Sequence, residues 1–185
     1  MAKAVVFFAP GLEECEGLLV VDILRRAGAE VTVAAVGDGK IVRSARGISV
    51  AADALAGELD YTGYDLCVLP GGIPGVDNLK ADATVRAVCR QFAAEGRRVA
   101  AICAGPTVLA AFGVLKGRRA TVYPGMDAVL TAAGAHYTGE PVTVDGNVTT
   151  GRALGAGIPF ALELAAQLEG RAASDRVRKG IVYTD

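Results

Sequence analysis

The chain has 185 residues, 52% of them hydrophobic and 21% charged, which is enough apolar material for a sizeable core in one domain spanning 1–185. Nineteen Lys and Arg stand against 20 Asp and Glu, a formal net charge of −1 with no block of like charge, so neither nucleic acid nor a membrane surface is expected as a partner. No apolar run reaches the roughly 18–20 residues that span a bilayer, and four cysteines without C-x-x-C spacing beside one histidine argue against a structural zinc site and for reduced thiols in a cytosol.

In chain order, strand and helix alternate. Lys3 to Phe8 is a continuous apolar strand, too short for a signal peptide. Glu13 to Ala27 reads as a helix stopped by Gly28. Leu18, Val21 and Leu24 form its apolar face, with Leu19, Val20 and Ile23 widening it. Asp22 falls within this stretch and should have a partner. Glu13 and Glu14 suit the first turn of a helix, where the dipole favours acids. Glu30 to Ala35 is the next strand. Lys40 to Arg43 and Ile48 to Ala52 form a hairpin. Leu66 to Leu69 is a buried strand ending at Pro70-Gly71-Gly72. Ala83 to Glu95 is a helix. A strand then leads from Arg98 into Cys103, and a helix follows with Pro106 in its first turn. Ala120 to Tyr123 is a strand. Val142 to Asp145 and Val148 to Thr150 pair across Asp145-Gly146-Asn147. Ile158 to Gln167 and Ala172 to Arg178 are helices. Such repetition predicts a mostly parallel α/β sheet covered on both faces.

Ligands of such sheets bind beyond the C-terminal ends of the strands. Three segments meet there: the loop Pro10 to Glu16, the Pro70-Gly71-Gly72 turn and the Cys103 junction. A cysteine on a sharp strand-to-helix turn is placed beside unpaired amides and the positive end of a helix, which favour a thiolate. Glu16 falls on the phase of Leu12 and Leu19. A carboxyl buried there has a raised pKa and can act as acid and base toward Cys103. The amides of Gly71, Gly72 and Ala104 are candidate oxyanion donors. His136, the lone histidine, lies in a loop entering a strand. Neither G-x-G-x-x-G nor a P-loop is present.

Several segments together resemble the DJ-one/ThiJ/PfpI family, in the branch of the parkinsonism-associated protein deglycase. They are Ala9-Pro-Gly-Leu-Glu-Glu-Cys-Glu16, Leu69-Pro-Gly-Gly72, Ala100-Ala-Ile-Cys-Ala-Gly-Pro106 and His136-Tyr-Thr138, in order and at matching spacing over nearly the whole chain. The resemblance implies a flavodoxin-like sandwich, similar to class I glutamine amidotransferase domains, and a homodimer. It puts the family's nucleophilic, oxidation-prone cysteine at Cys103, its protonated glutamate at Glu16 and its glycine-turn amide at Gly72. Arg46 matches an arginine near the family's dimer interface. His136, with Tyr123, joins the residues expected to bind substrate. Many relatives carry a histidine before a proline after the elbow; here Tyr123 precedes Pro124. A phenol with a pKa of about 10 is a poor base at pH 7, which moves the proton chemistry to Glu16.

Two functions are expected from this pattern. One is a cytoplasmic, cofactor-independent enzyme on reactive carbonyls: a glyoxalase III-like conversion of methylglyoxal or glyoxal to lactate or glycolate, or removal of early glycation adducts. Its partners are a small aldehyde or glycated substrate, with no metal. The alternative is an oxidation-sensing or chaperone-like protective protein using the same cysteine.

Overall fold

A computed structural model describes residues 1–184. Lys3–Phe8 forms β1, and every residue after Lys3 is buried. A strand of this kind needs cover on both faces. Its alternate side chains enter two separate cores: Val5 and Phe7 one, Ala4, Val6 and Phe8 the other.

The remaining elements follow as α1 Glu14–Ala27, β2 Glu30–Ala35, the hairpin β3 Ile41–Arg43 and β4 Ser49–Ala51, β5 Ala54–Leu55, and β6 Leu66–Leu69. Then come α2 Gly75–Ala81, α3 Ala83–Ala94, β7 Arg98–Ile102, α4 Pro106–Ala111, β8 Arg119–Ala120 and α5 Asp127–Ala132. The chain finishes with β9 His136–Tyr137, β10 Val142–Asp145, β11 Val148–Gly151, α6 Gly157–Glu169 and α7 Arg171–Gly180. Seven strands form one sheet in the order β10-β11-β7-β6-β1-β2-β5. All neighbours are parallel except β10 and β11. Residues of α1, α6 and α7 pack on one face, those of α2, α3, α4 and α5 on the other. Among the described residues no helix is long and apolar enough to cross a membrane.

Helix α1 stops where Gly28 takes φ 109° and its N–H caps Arg25 and Leu24 carbonyls, a conformation glycine adopts without a Cβ clash. Several expectations shift. Leu18 is 41% exposed rather than on the buried face. Asp22 does have a partner, the Arg26 Nε at 2.7 Å, but the pair lies on the solvent side. Glu14 does stand in the first turn of α1 and is buried there. The strand expected over Ala120 to Tyr123 shrinks to Arg119–Ala120, because beyond it Thr121 donates its amide to the Thr150 side chain, 2.9 Å, and not to a neighbouring strand. Helices α2 and α5 are seven and six residues long, too short for an apolar period to show.

Candidate active site

β1, β6 and β7 lie side by side and parallel, so their C-terminal loops share one edge. The loops after β1 and β6 touch backbone to backbone. Glu13 N–H donates to Gly71 O at 2.9 Å, and Gly75 N–H to Gly11 O at 3.1 Å. A Cβ at Gly71 would stand 2.7 Å from both the Cys103 Cβ and Glu16 Oε2. At Gly72, with φ 97°, it would stand 2.6 Å from Gly11 O. Only glycine allows this seam to close.

Cys103 follows β7 with φ 63°, the left-handed region that residues with a Cβ rarely occupy. Its N–H donates to Gly151 O and its carbonyl accepts from Tyr123 N–H, both at 2.9 Å. With both backbone groups held by neighbouring segments, the strained conformation persists. The second bond also brings Tyr123 beside the elbow.

Glu16 is 1% exposed. Its Oε2 accepts the Gly71 N–H at 2.9 Å, and its carboxyl also bonds the Cys103 side chain and the Leu154 backbone. Burial pushes its pKa up to about 7 and the Glu13 charge adds to this, while those hydrogen bonds oppose it. Burial, then the Glu16 charge and hydrogen bond, push the Cys103 thiol up to about 12, against a downward pull from the Ala104 amide. The thiol lowered by a helix terminus that the sequence suggested is not what the structure holds. α4 begins only at Pro106, and burial, with the carboxyl beside the sulfur, raises the thiol. Two acids in contact ionise as a unit. The pair releases one proton near 7 and keeps the second to near 12. Around pH 7 the pair therefore passes from two protons and no charge to a carboxylate beside a protonated thiol.

A pocket of about 380 Å³ opens over this pair, with Glu13, Arg46, Gly72, Ile73, Tyr123 and Met126 among its walls and Leu154 beside them. Gly71 N–H is committed to Glu16, so it is not the oxyanion donor proposed from sequence. Gly72 N–H donates to no acceptor among the described residues and borders the cavity. Ala104 is buried with its amide on the Cys103 sulfur. His136 is not brought to the site. It is exposed on β9, level with Arg119 on β8, and is absent from the pocket lining. The β8–β9 pairing ends at Ala120 and Tyr137, while the pocket is reached by the chain beyond Ala120, at Tyr123.

Arg46, Ile73, Met126 and Leu154 line the cavity without having been assigned there. Leu154 lies just past β11, and the rule for strand ends points to it once β11 is known to run parallel to β7. Among the described residues no group of three or more His, Cys, Asp or Glu could hold a metal.

The model of the DJ-1/PfpI family matches residues 2–167. The chain belongs to this family. Its fold is of the flavodoxin-like class, similar to the crystal structure of Drosophila melanogaster DJ-1beta with a TM-score of 0.96 at 36% identity, covering 100% of this chain and 99% of that one. It is 36% identical to the Parkinson disease protein 7 homolog of Danio rerio, over 99% of this chain and 98% of the relative. It is 31% identical to a protein named as a deglycase from Pyrococcus abyssi, over 83% of this chain and 91% of that protein.

Proposed function

We propose that this DJ-1/PfpI protein is a cofactor-independent enzyme acting on small reactive carbonyls through Cys103 and Glu16. The observation that carries the reading is the buried Glu16 carboxyl, titrating near 7, in contact with a cysteine on a left-handed elbow under an open pocket. A group poised near neutrality is the best compromise between holding and giving up a proton.

Methylglyoxal illustrates the steps. The sulfur adds to the aldehyde carbon and the aldehyde oxygen takes a proton, forming a hemithioacetal. Glu16 removes the hydrogen from that carbon as a proton and returns a proton to the neighbouring ketone carbon. The aldehyde carbon is thereby oxidised to a thioester and the ketone reduced to an alcohol, with no external oxidant. Water cleaves the thioester, releasing lactate and the thiol. Gly72 N–H is suited to the oxyanion of the first and last steps, and Tyr123 to holding the second oxygen. Removal of early glycation adducts shares the opening step, and one relative is named a deglycase. Loss of methylglyoxal and appearance of lactate, followed in parallel, test the assignment. Turnover should vanish in Cys103→Ser; undiminished turnover in that variant removes the reading.

An oxidation-sensing role for the same cysteine is supported by its partial accessibility and by the carboxyl beside it. Cys67 and Cys89 are fully buried, whereas Cys103 is partly accessible, and a protonated Glu16 can donate to a sulfinate. Cys15 is exposed and is the competitor. After graded peroxide, mass spectrometry should find two added oxygens on Cys103 before any on Cys15. We also propose a cytoplasmic homodimer; the exposed Leu18 and Ile48 are apolar surface that a second copy would cover. Sedimentation of the intact chain tests it.

A further inference from the structure

At the opposite end of the sheet from Cys103 lies a second cavity of about 440 Å³. Its charged walls are Arg90, Lys116 and Arg118, and no acid lines it. The location follows from β7. Ala93 and Ala94 border the cavity just before β7 begins. Arg118 is held by the Asp145 carbonyl at 3.0 Å, in the hairpin whose Asn147 carbonyl binds the Val99 amide. Cys103 follows the other end of that five-residue strand, about 16 Å away at about 3.3 Å per residue.

The chain as a whole is nearly neutral, so three cations around one cavity are a local excess. The flanking acids are committed elsewhere. Glu95 pairs with Arg97, and Asp145 Oδ2 takes the Arg119 amide at 2.7 Å. Among the described residues Arg90 and Lys116 have no ion-pair partner. Arg90 also precedes the last turn of α3, which carries no basic residue, so the helix dipole does not account for it. Arg86, one turn before Arg90, holds its guanidinium 5.5 Å from the centroid of the Phe112 ring, which lines the cavity. Arg118 is half-buried and already oriented by its backbone bond.

We infer that this groove binds the oligophosphate group of a small molecule, with Arg90 and Arg118 offering forked N–H donors and Lys116 a point charge. Guanidinium forks match phosphate oxygens two at a time. Several cations with no acid among them call for a multiply charged anion, which one carboxylate does not supply.

Calorimetric titration of the full chain with inorganic tripolyphosphate at low ionic strength tests this. Saturable one-to-one binding is expected, weakened by more than about tenfold in Arg90→Ala and in Lys116→Ala and by less in Arg90→Lys, which keeps the charge and loses the fork. Both alanine variants should leave methylglyoxal turnover at the wild-type rate. Equal affinity for tripolyphosphate and ATP marks the phosphate chain alone as the ligand; tighter ATP binding adds the nucleoside to it. The inference fails if no saturable heat appears, if the double variant Arg90→Ala/Lys116→Ala binds like wild type, or if Arg46→Ala abolishes binding instead. It also fails if single-stranded RNA binds more tightly than tripolyphosphate with an affinity that grows with length.

Discussion

The Glu16 carboxyl lies beside the Cys103 side chain at the base of the pocket, close enough for each to shift the other's ionisation. Glu16 raises the cost of ionising Cys103, while the cysteine eases the ionisation of Glu16, so the pair is a single proton store and not an acid beside an independent thiolate.

Replacing the acid should separate thiol reactivity from turnover. In Glu16→Gln the negative neighbour is gone, and the Cys103 pKa should fall from about 12. Iodoacetamide alkylation at pH 8 then becomes faster than in wild type. Carbonyl turnover should nevertheless drop by at least about 100-fold, because no group remains to move the carbon-bound proton. A variant that is both more reactive and more active would contradict the assigned role of Glu16.

The pH profile should show one limb. kcat/KM is expected to rise with pH as the pair loses its first proton, with a midpoint near 7. It should then run flat until the second proton begins to leave, toward about 12. The limb near 7 should be missing from Glu16→Gln.

Folding stability should move the opposite way over the same range. The Glu16 pKa rises from 4.5 to about 7 on folding. Between those values the folded chain keeps a proton that the unfolded chain has lost, so the contribution is complete below 4.5 and is lost as pH rises through 7. At pH 8 the loss amounts to about 3 kcal/mol. Urea unfolding at pH 5 and pH 8 should show wild type losing about 2.5 kcal/mol relative to Glu16→Gln, since a part is already lost at pH 5. Cys103 does not contribute in this window, since its thiol stays protonated in both states below its ordinary value of 9.0.

The elbow should reveal its strain through a pair of substitutions. Cys103→Ala keeps a Cβ at φ 63°, while Cys103→Gly removes it. The glycine variant should be more stable than the alanine variant by about 1 kcal/mol in urea unfolding.

Gly71→Ala should damage the site from below. The new methyl group would meet both the Cys103 Cβ and Glu16 Oε2 at 2.7 Å. Displacing either breaks the shared hydrogen bond. We expect a loss of about 1–3 kcal/mol in stability and of carbonyl turnover by more than about 100-fold, the latter seen in kcat as well as in kcat/KM.

Much of the architecture was legible because burial and chain punctuation coincide. Uninterrupted apolar runs at Lys3–Phe8 and Leu66–Leu69 fall on the observed strands, and Gly28 stops α1 where expected. The pairing of Glu16 with Cys103 was legible from helix phase and from the position of the elbow. The direction of the thiol's shift was not, because it depends first on how far the sulfur is buried and then on the charge of Glu16 beside it. The commitment of Gly71 N–H to Glu16 was hidden because it joins residues 55 positions apart. His136 misled because a chemically able residue carries no record of which strand end it occupies. Met126 and Leu154 gave no signal, since a pocket wall asks only for apolar bulk there.

The glycine seam between the two loops divides the pocket into parts with unequal freedom to change. Its floor is backbone against backbone, and Gly11, Gly71, Gly72 and Gly75 tolerate no added atom without a clash. Glu16 and Cys103 are anchored to that floor. The rim is made of side chains, with Arg46, Ile73 and Tyr123 projecting from separate segments. Descendants of this chain can thus exchange rim residues one at a time and acquire new substrates, while inheriting the same proton store unaltered.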